Sequence, residues 1–237
     1  MSFKIEQRGN EHTNYSSRKG EIPIAFAEHI TGSTAASTDD WFRSPNNKVS
    51  SANFMVTKLG KIYQYVDIKN MSWCTGLTSG LKYASSNLVH EKYPVNPNKY
   101  TISIEHESID GVLTDIQLEA SIWLHRDVIR QVKQMYGNDI KVDREHIIGH
   151  NEVDSKRKFY CPSNMGDKIQ KFPMNDIIDE INEVDENEPT PWAKEAWNWG
   201  IENKITADGI RPKDNITREE TMQFIYNFYN NVVDETL

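Results

Sequence analysis

The chain has 237 residues, 37% of them hydrophobic and 26% charged. That composition is too apolar for a disordered tail, and no run of about 18 or more apolar residues offers a membrane span. A formal net charge of −8 at pH 7 argues against bulk binding of nucleic acid, which needs a basic footprint.

The length suits one full domain plus a small module, or two modest domains. The charge is unevenly spread. Residues 1–175 carry a net +2, residues 176–188 (DIIDEINEVDENE) hold seven acids and no base, and residues 189–237 carry −3. So dense an acidic tract favours a solvated or extended segment and reads as a joint. The first twenty residues contain no apolar core of signal-peptide length, so synthesis in the cytoplasm without a cleaved signal is expected. The two cysteines, Cys74 and Cys161, cannot make a disulfide framework. They fit a reducing compartment or a ligand role at least as well as a single bridge.

In chain order, IPIAFAEHI (22–30) and NFMVTKLGKIYQYV (53–66) read as strands, the second interrupted by a hairpin turn at Lys58–Lys61. TISIEHES (101–108) alternates, with Ile102, Ile104 and His106 on one side and Ser103, Glu105 and Glu107 on the other. From Thr114 to Tyr136, Leu118, Ile122, Ile129, Val132 and Tyr136 recur at helical spacing, and Gly137 stops the helix. A shorter helix from Asp176 to about Val184 would bury Ile177, Ile178, Ile181 and Val184. Strands interleaved with helices predict an α/β domain with a mixed central sheet flanked by helices. The expected organisation is a domain over residues 1–184, a linker over 185–190, and an all-α helix-loop-helix module over 191–237. In that module Thr217 and Glu220 form a capping-box signature. Two helices of this size bury little core alone, so the module is expected to dock on something.

GxSxG, Walker, HExxH and CxxC motifs are all absent, which leaves metal-ligand side chains as the place to look. His29 ends an apolar strand (AEHITGS). His146 and His150 lie in REHIIGHNEV, and Cys161 follows in KRKFYCPS. His146 and His150 would share a helix face, but Ile147-Ile148 and Gly149 favour a strand that ends at His150, leaving one of the two as a ligand. Two imidazoles and a thiolate can hold Zn²⁺ with a fourth position open.

Four segments, AEHITGS with the upstream SSRKG, SANFMVTKLGKIYQYVDIKNMSWCTG, TISIEHES and IIGHNEVDSKRKFYCPS, occur in the order seen in one family. Over roughly residues 5–184 the chain resembles the zinc-dependent N-acetylmuramoyl-L-alanine amidase domain shared by phage endolysins, bacterial autolysins and peptidoglycan recognition proteins. The resemblance implies that His29, His150 and Cys161 hold zinc and that Glu105 works on the metal-bound water. It also implies that a basic residue before the cysteine, with Lys158 the nearest match and Lys156 and Arg157 its competitors, stabilises the oxyanion. The implied reaction hydrolyses the amide between the lactyl group of N-acetylmuramic acid and L-alanine in peptidoglycan.

There are departures from the family's pattern. Ala52 stands where the family often has tyrosine, and Asn53 is then expected to help position substrate. Trp73-Cys74-Thr75-Gly76 stands where many members have Trp-His-Ala-Gly, so Trp73 and Cys74 are expected to line the cleft. Glu107 is an alternate base, and His106 and His125 read as core.

The segments WAKEAWNWGI and RPKDNITREE, within residues 191–230, resemble a single S-layer-homology motif. That implies binding of a secondary wall polymer of a Gram-positive envelope, with Arg211, Lys213, Thr217 and Arg218 as candidate contacts. Trp192, Ala196, Trp199, Phe224, Ile225 and Phe228 read as its helix-packing core. One motif where such domains assemble three suggests association between copies of the chain. The leading expectation is an endolysin-type amidase, or an autolysin of the same class. A non-catalytic peptidoglycan-recognition module and a zinc peptidase cutting within the stem peptide are the alternatives. Recognition-only relatives typically lose the cysteine ligand, and here it is present.

Overall fold

The computed structural model describes residues 3–163, 171–183, 194–202, 223, 225 and 226. The chain divides into two compact units, Met1–Asn182 and Glu183–Leu237. Val184, the linker 185–190 and the candidate polymer contacts Arg211, Lys213, Thr217 and Arg218 lie outside the described residues.

The first unit is built on a six-stranded mixed sheet in the order β1-β5-β4-β7-β3-β8. These strands are Ile5–Gln7 (β1), Ala25–Ile30 (β3), Phe54–Val56 (β4), Ile62–Gln64 (β5), Thr101–His106 (β7) and Ile147–Gly149 (β8). β4, β7, β3 and β8 run parallel, while β5 pairs antiparallel with β4 and parallel with β1. A short antiparallel pair, Ser16–Ser17 (β2) and Asn70–Met71 (β6), lies beside it. The hairpin between β4 and β5 turns at Gly60, where φ is +73° and a Cβ would stand 2.8 Å from Ile116 Cγ1. Only glycine meets both demands.

The central strands β3 and β7 are buried almost throughout, as expected of parallel strands covered on both faces. On one face Phe26, Phe54, Val56, Ile102, Ile104 and Ile147 pack against Ala120, Leu124, Val128 and Val132 of helix α3 (Asp115–Tyr136). Met174, Ile177 and Ile178 of α5 (Met174–Asn182) complete this main core. The Thr114 hydroxyl accepts from Gln117 N, the Gln117 side chain returns to the cap, and Gly137 closes the helix in the left-handed conformation. The helix predicted from Asp176 begins two residues earlier, because Met174 is itself buried in the core.

On the opposite face lie α1 (Ala35–Phe42) with the cluster Phe42, Ala52, Met55, Tyr65 and Val66, then α2 (Asn87–Lys92), and finally α4 (His150–Val153), which follows β8 directly. Arg18, from the SSRKG segment, is buried and donates to the carbonyls of Ile68, Asn98, Lys99 and Thr101, tying three loops together.

The core also holds polar groups. His125 donates from Nδ1 to Ser121 O, which aims its Nε2 at Glu28 Oε1, 2.9 Å away. The pair is fully buried and ties α3 to β3. His106 bridges the His29 carbonyl and Ser121 Oγ, and burial pushes its imidazole down to about 4. Both histidines occupy the core positions expected of them.

In the second unit, helix α6 spans Lys194–Glu202. Trp199 and Ile225, expected in a helix-packing core, are 42% and 53% exposed. Short helices bury little of their own surface. Among the described residues no helix is long and apolar enough to cross a membrane.

Candidate active site

The carboxyl ends of β3, β7 and β8 are where an open α/β sheet offers a crevice, and the candidate residues meet there. Phe26 and Glu28 of β3 point toward α3, so strand alternation turns Ala27 and His29 to the other face. Glu105 of β7 is paired with His29 in register. β8 delivers His150 as the first residue of α4, and the turn between them accommodates only glycine. A Cβ on Gly149 would stand 2.6 Å from Asn151 Oδ1 and 2.8 Å from Pro162 Cδ. Cys161 is held by its backbone, with Asn151 N–H donating to its carbonyl and its own N–H donating to Lys158 O. The Ile30 N–H also donates to its sulfur at 3.4 Å.

The ligand atoms of His29, His150 and Cys161 all lie within 4.8 Å of one another. The His29 and His150 rings meet edge to face with centroids 4.3 Å apart, and His29 Nδ1 is 3.8 Å from Cys161 Sγ. His29 Nε2 is engaged by Thr75 Oγ1 at 3.1 Å, which leaves Nδ1 facing the sulfur. An outer partner that fixes the ring in this way is what a metal-ligating histidine needs. Thr75 stands in the Trp-Cys-Thr-Gly segment, but its residue type alone does not reveal this role.

Electrostatics favour a metal as well. Burial, then the neighbouring His150 and Lys158, hold His29 well below the usual imidazole value. Burial followed by Lys158 and Arg157 lowers His150 to about 3. Both rings are therefore neutral, the form that ligates. Burial, then Glu105, pushes the Cys161 thiol up, so a nearby cation is needed to make it a thiolate. Glu105 is raised by burial to about 7, against the downward pull of its hydrogen bond with Cys74 and of Lys158. Its Oε2 is buried without a partner among the described residues. A divalent cation supplies the positive charge that this donor set lacks, and imidazole with thiolate suits zinc. The residues fit the group.

These residues open into a cavity of about 630 Å³. Trp73 and Cys74 line it, and Trp73 Nε1 donates to Ser16 Oγ. The three competing basic residues separate. The Lys156 ammonium stacks over the Tyr83 ring at 5.2 Å. Arg157 lines the cavity but donates to Thr78 Oγ1. Lys158 lines the cavity, and its charge acts on His29, His150, Cys161 and Glu105.

Two expectations are corrected. Asn53 is fully buried and does not line the cavity. Its Oδ1 accepts from Ser72 Oγ and Ser103 N, and its Nδ2 donates to the carbonyls of Val66 and Asn70, so it pins loops rather than substrate. Glu107 has both oxygens committed, to Ala35 N–H and Lys58 N–H, and cannot serve as the alternate base. His146 lies apart, paired with Asp143. Ala52 belongs to the apolar cluster under α1 rather than to the cavity wall.

A sequence model of the N-acetylmuramoyl-L-alanine amidase family matches residues 20–164, more than half of the chain. No curated protein sequence matches. Among solved structures, a mutant endolysin from Bacillus subtilis is similar with a TM-score of 0.50 and 18% identity, over 76% of this chain and 100% of that one. A mutant of PlyL has a TM-score of 0.50 and 18% identity, over 77% and 100%. At that identity these likenesses show a shared fold, and it is the fold the sheet and helices described above make. The family match spans His29, Glu105, His150 and Cys161, and with it the chain belongs to the N-acetylmuramoyl-L-alanine amidase family.

Proposed function

We propose that the chain is a zinc-dependent, endolysin-type enzyme that hydrolyses the lactyl-amide bond between N-acetylmuramic acid and L-alanine of peptidoglycan. The observation that carries the reading is the convergence of His29, His150 and Cys161 beside a buried Glu105 whose Oε2 has no partner among the described residues. Zinc, when bound, would polarise the scissile carbonyl and lower the pKa of a bound water toward about 7.

The chain's own residues supply the rest. Glu105, raised to about 7 by burial, is matched to proton transfer at neutral pH. It would take the proton of the attacking water on Oε2 and return it to the leaving amine nitrogen of alanine. Lys158 would meet the negative charge that develops on the carbonyl oxygen. Thr75 keeps His29 turned toward the centre, and Trp73 gives the cavity an aromatic wall for the glycan or peptide. Residues 191–237 would hold the enzyme on a secondary wall polymer through Arg211, Lys213, Thr217 and Arg218, a role that rests on the S-layer-homology resemblance.

Digestion of purified wall, followed by analysis of the new ends, tests the bond. New N-terminal alanine without new reducing sugar is expected. New termini within the stem peptide would replace this reading with that of a peptidase.

A further inference from the structure

Asp154, just after α4, is fully buried, and both of its carboxylate oxygens are occupied. Oδ2 accepts from the Thr78 N–H at 3.1 Å, from Thr78 Oγ1 at 3.0 Å and from the Ser79 N–H at 3.0 Å. Oδ1 accepts from the Arg157 N–H at 3.3 Å. An ionised carboxylate has about four acceptor sites, and these donors fill them. Asp154 therefore has nothing left to offer a substrate, although it stands at the cavity wall.

The segment that begins at Asp154 is fastened along its length to residues 78–83. Ser155 donates from both its N–H and its Oγ to Tyr83 O. The Lys156 ammonium lies over the Tyr83 ring, and Arg157 Nη1 donates to Thr78 Oγ1 at 2.9 Å. The first two cations of the Lys156-Arg157-Lys158 run are thus claimed by that segment. Lys158 comes next. Its N–H donates to Asp154 O at 2.9 Å, and its side chain lines the cavity with His29, Glu105, His150 and Cys161.

From this geometry we infer that Asp154 is a positioning residue for Lys158: its carboxylate fixes the 154–158 turn on the 78–83 segment, so that Arg157 is drawn aside and Lys158 is presented to the scissile carbonyl oxygen. The inference rests on the role proposed above for Lys158 and explains how one cation of three comes to hold it. A lysine ammonium rides on a flexible four-carbon stem, so it is placed no better than the backbone beneath it. A misplacement of about 1 Å can cost about 10²-fold in rate.

Asp154→Asn is a selective lesion. An amide has a single oxygen, and turning that oxygen toward Thr78 and Ser79 saves three bonds out of four. The NH2 group then meets the Arg157 N–H, donor against donor. The turn that carries Lys158 is released while the other side of the clasp stays fastened.

The test is a double-mutant cycle on the zinc-loaded full chain, with a soluble muramyl peptide as substrate. Asp154→Asn is expected to lower kcat by about 10- to 10²-fold, with KM and zinc content unchanged. In a Lys158→Ala background the same change should cost less than about 2-fold, because the group it positions is gone. Amide exchange gives a readout independent of turnover. The Arg157 N–H should exchange at least about 10-fold faster in Asp154→Asn, with the Thr78 and Ser79 N–H groups unchanged. Equal loss of kcat in both backgrounds, no loss in either, or unchanged exchange at Arg157 would overturn the inference and leave the role of Lys158 standing. Full turnover by Lys158→Ala would overturn that role and the inference with it. Should Asp154→Asn fail to fold, Thr78→Val carries the same cycle, since it removes the hydroxyl between Asp154 and Arg157 and keeps both backbone donors. A loss of about 3-fold or more only where Lys158 is present supports the inference, and an equal loss in both backgrounds overturns it.

Discussion

In the proposed reaction Glu105 is the residue on which the chemistry turns, and its burial makes two separate predictions. Glu105→Gln keeps the shape and removes the base, so turnover should fall by about 10²–10⁴-fold while zinc stays bound. Steady-state assay and metal analysis of the same preparation check this. The second prediction concerns the metal-free protein. Burial raises this carboxyl from 4.5 to about 7, so between those values the native state holds a proton that the unfolded chain has released. The group's contribution is fully present below about pH 4.5 and is lost as pH rises to about 7, a change of about 3 kcal/mol. His29 and His150 are lowered and act in the opposite sense, with a contribution present above 6.5 that fades as pH falls. Comparison with Glu105→Gln isolates the carboxyl. Denaturant unfolding should show the variant gaining on the wild type from pH 5 to pH 8 by roughly that amount. Lys158 and Lys156 should part company likewise. Lys158→Ala is expected to cost about 10²-fold in kcat, and Lys156→Ala, which loses only the stacking over Tyr83, less than about 2-fold. Alternation along TISIEHES made the direction of Glu105 legible in the sequence. The commitments of Asn53 were not legible, because an asparagine on a strand reads alike whether it faces a cleft or a loop. Its partners Ser72 and Ser103 are 19 and 50 residues away.

The β8–α4 junction shows how a secondary-structure boundary positions a candidate ligand. Ile147-Ile148 followed by Gly149 predicts a strand ending at His150; the strand ends one residue earlier, at Gly149, and the helix starts on His150 itself. Gly149 N–H donates to Glu152 Oε2, closing the turn. Gly149→Ala forces a methyl against Asn151 and Pro162. It should destabilise the fold by about 1–3 kcal/mol and weaken zinc binding by displacing His150. Thermal unfolding and zinc titration would register both. Strands and helices of the first unit were legible because hydrophobic periodicity is a local property. The approach of Cys74 to His29 and Glu105 was not, because it depends on how the loop after β6 meets the ends of β3 and β7. Sequence patterning marked Cys74 as a departure without revealing its contacts.

For the molecule as a whole, the acidic excess concentrates at the end of the catalytic unit. Asp176, Asp179, Glu180 and Glu183 are exposed on and just after α5, while Ile177 and Ile178 are buried. The net −8 therefore describes this tract more than the cleft, whose basic rim includes Arg157 and Lys158. Bacterial walls are anionic, so on the proposed reading bulk attraction would not bring this protein to them, and specific contacts would have to. A chain ending after residue 183 should retain turnover on soluble muramyl peptides and lose retention on intact Gram-positive walls. Retention of the full chain should depend only weakly on salt, as sedimentation with walls at several ionic strengths would show.

The most direct measurement removes the metal and returns it stepwise while the new ends of digested peptidoglycan are analysed. Release of N-terminal alanine that is absent without zinc, rises to saturation at one zinc per chain and brings no new reducing sugar is the predicted result. Undiminished alanine release by metal-free protein, or any other new terminus, would contradict the account.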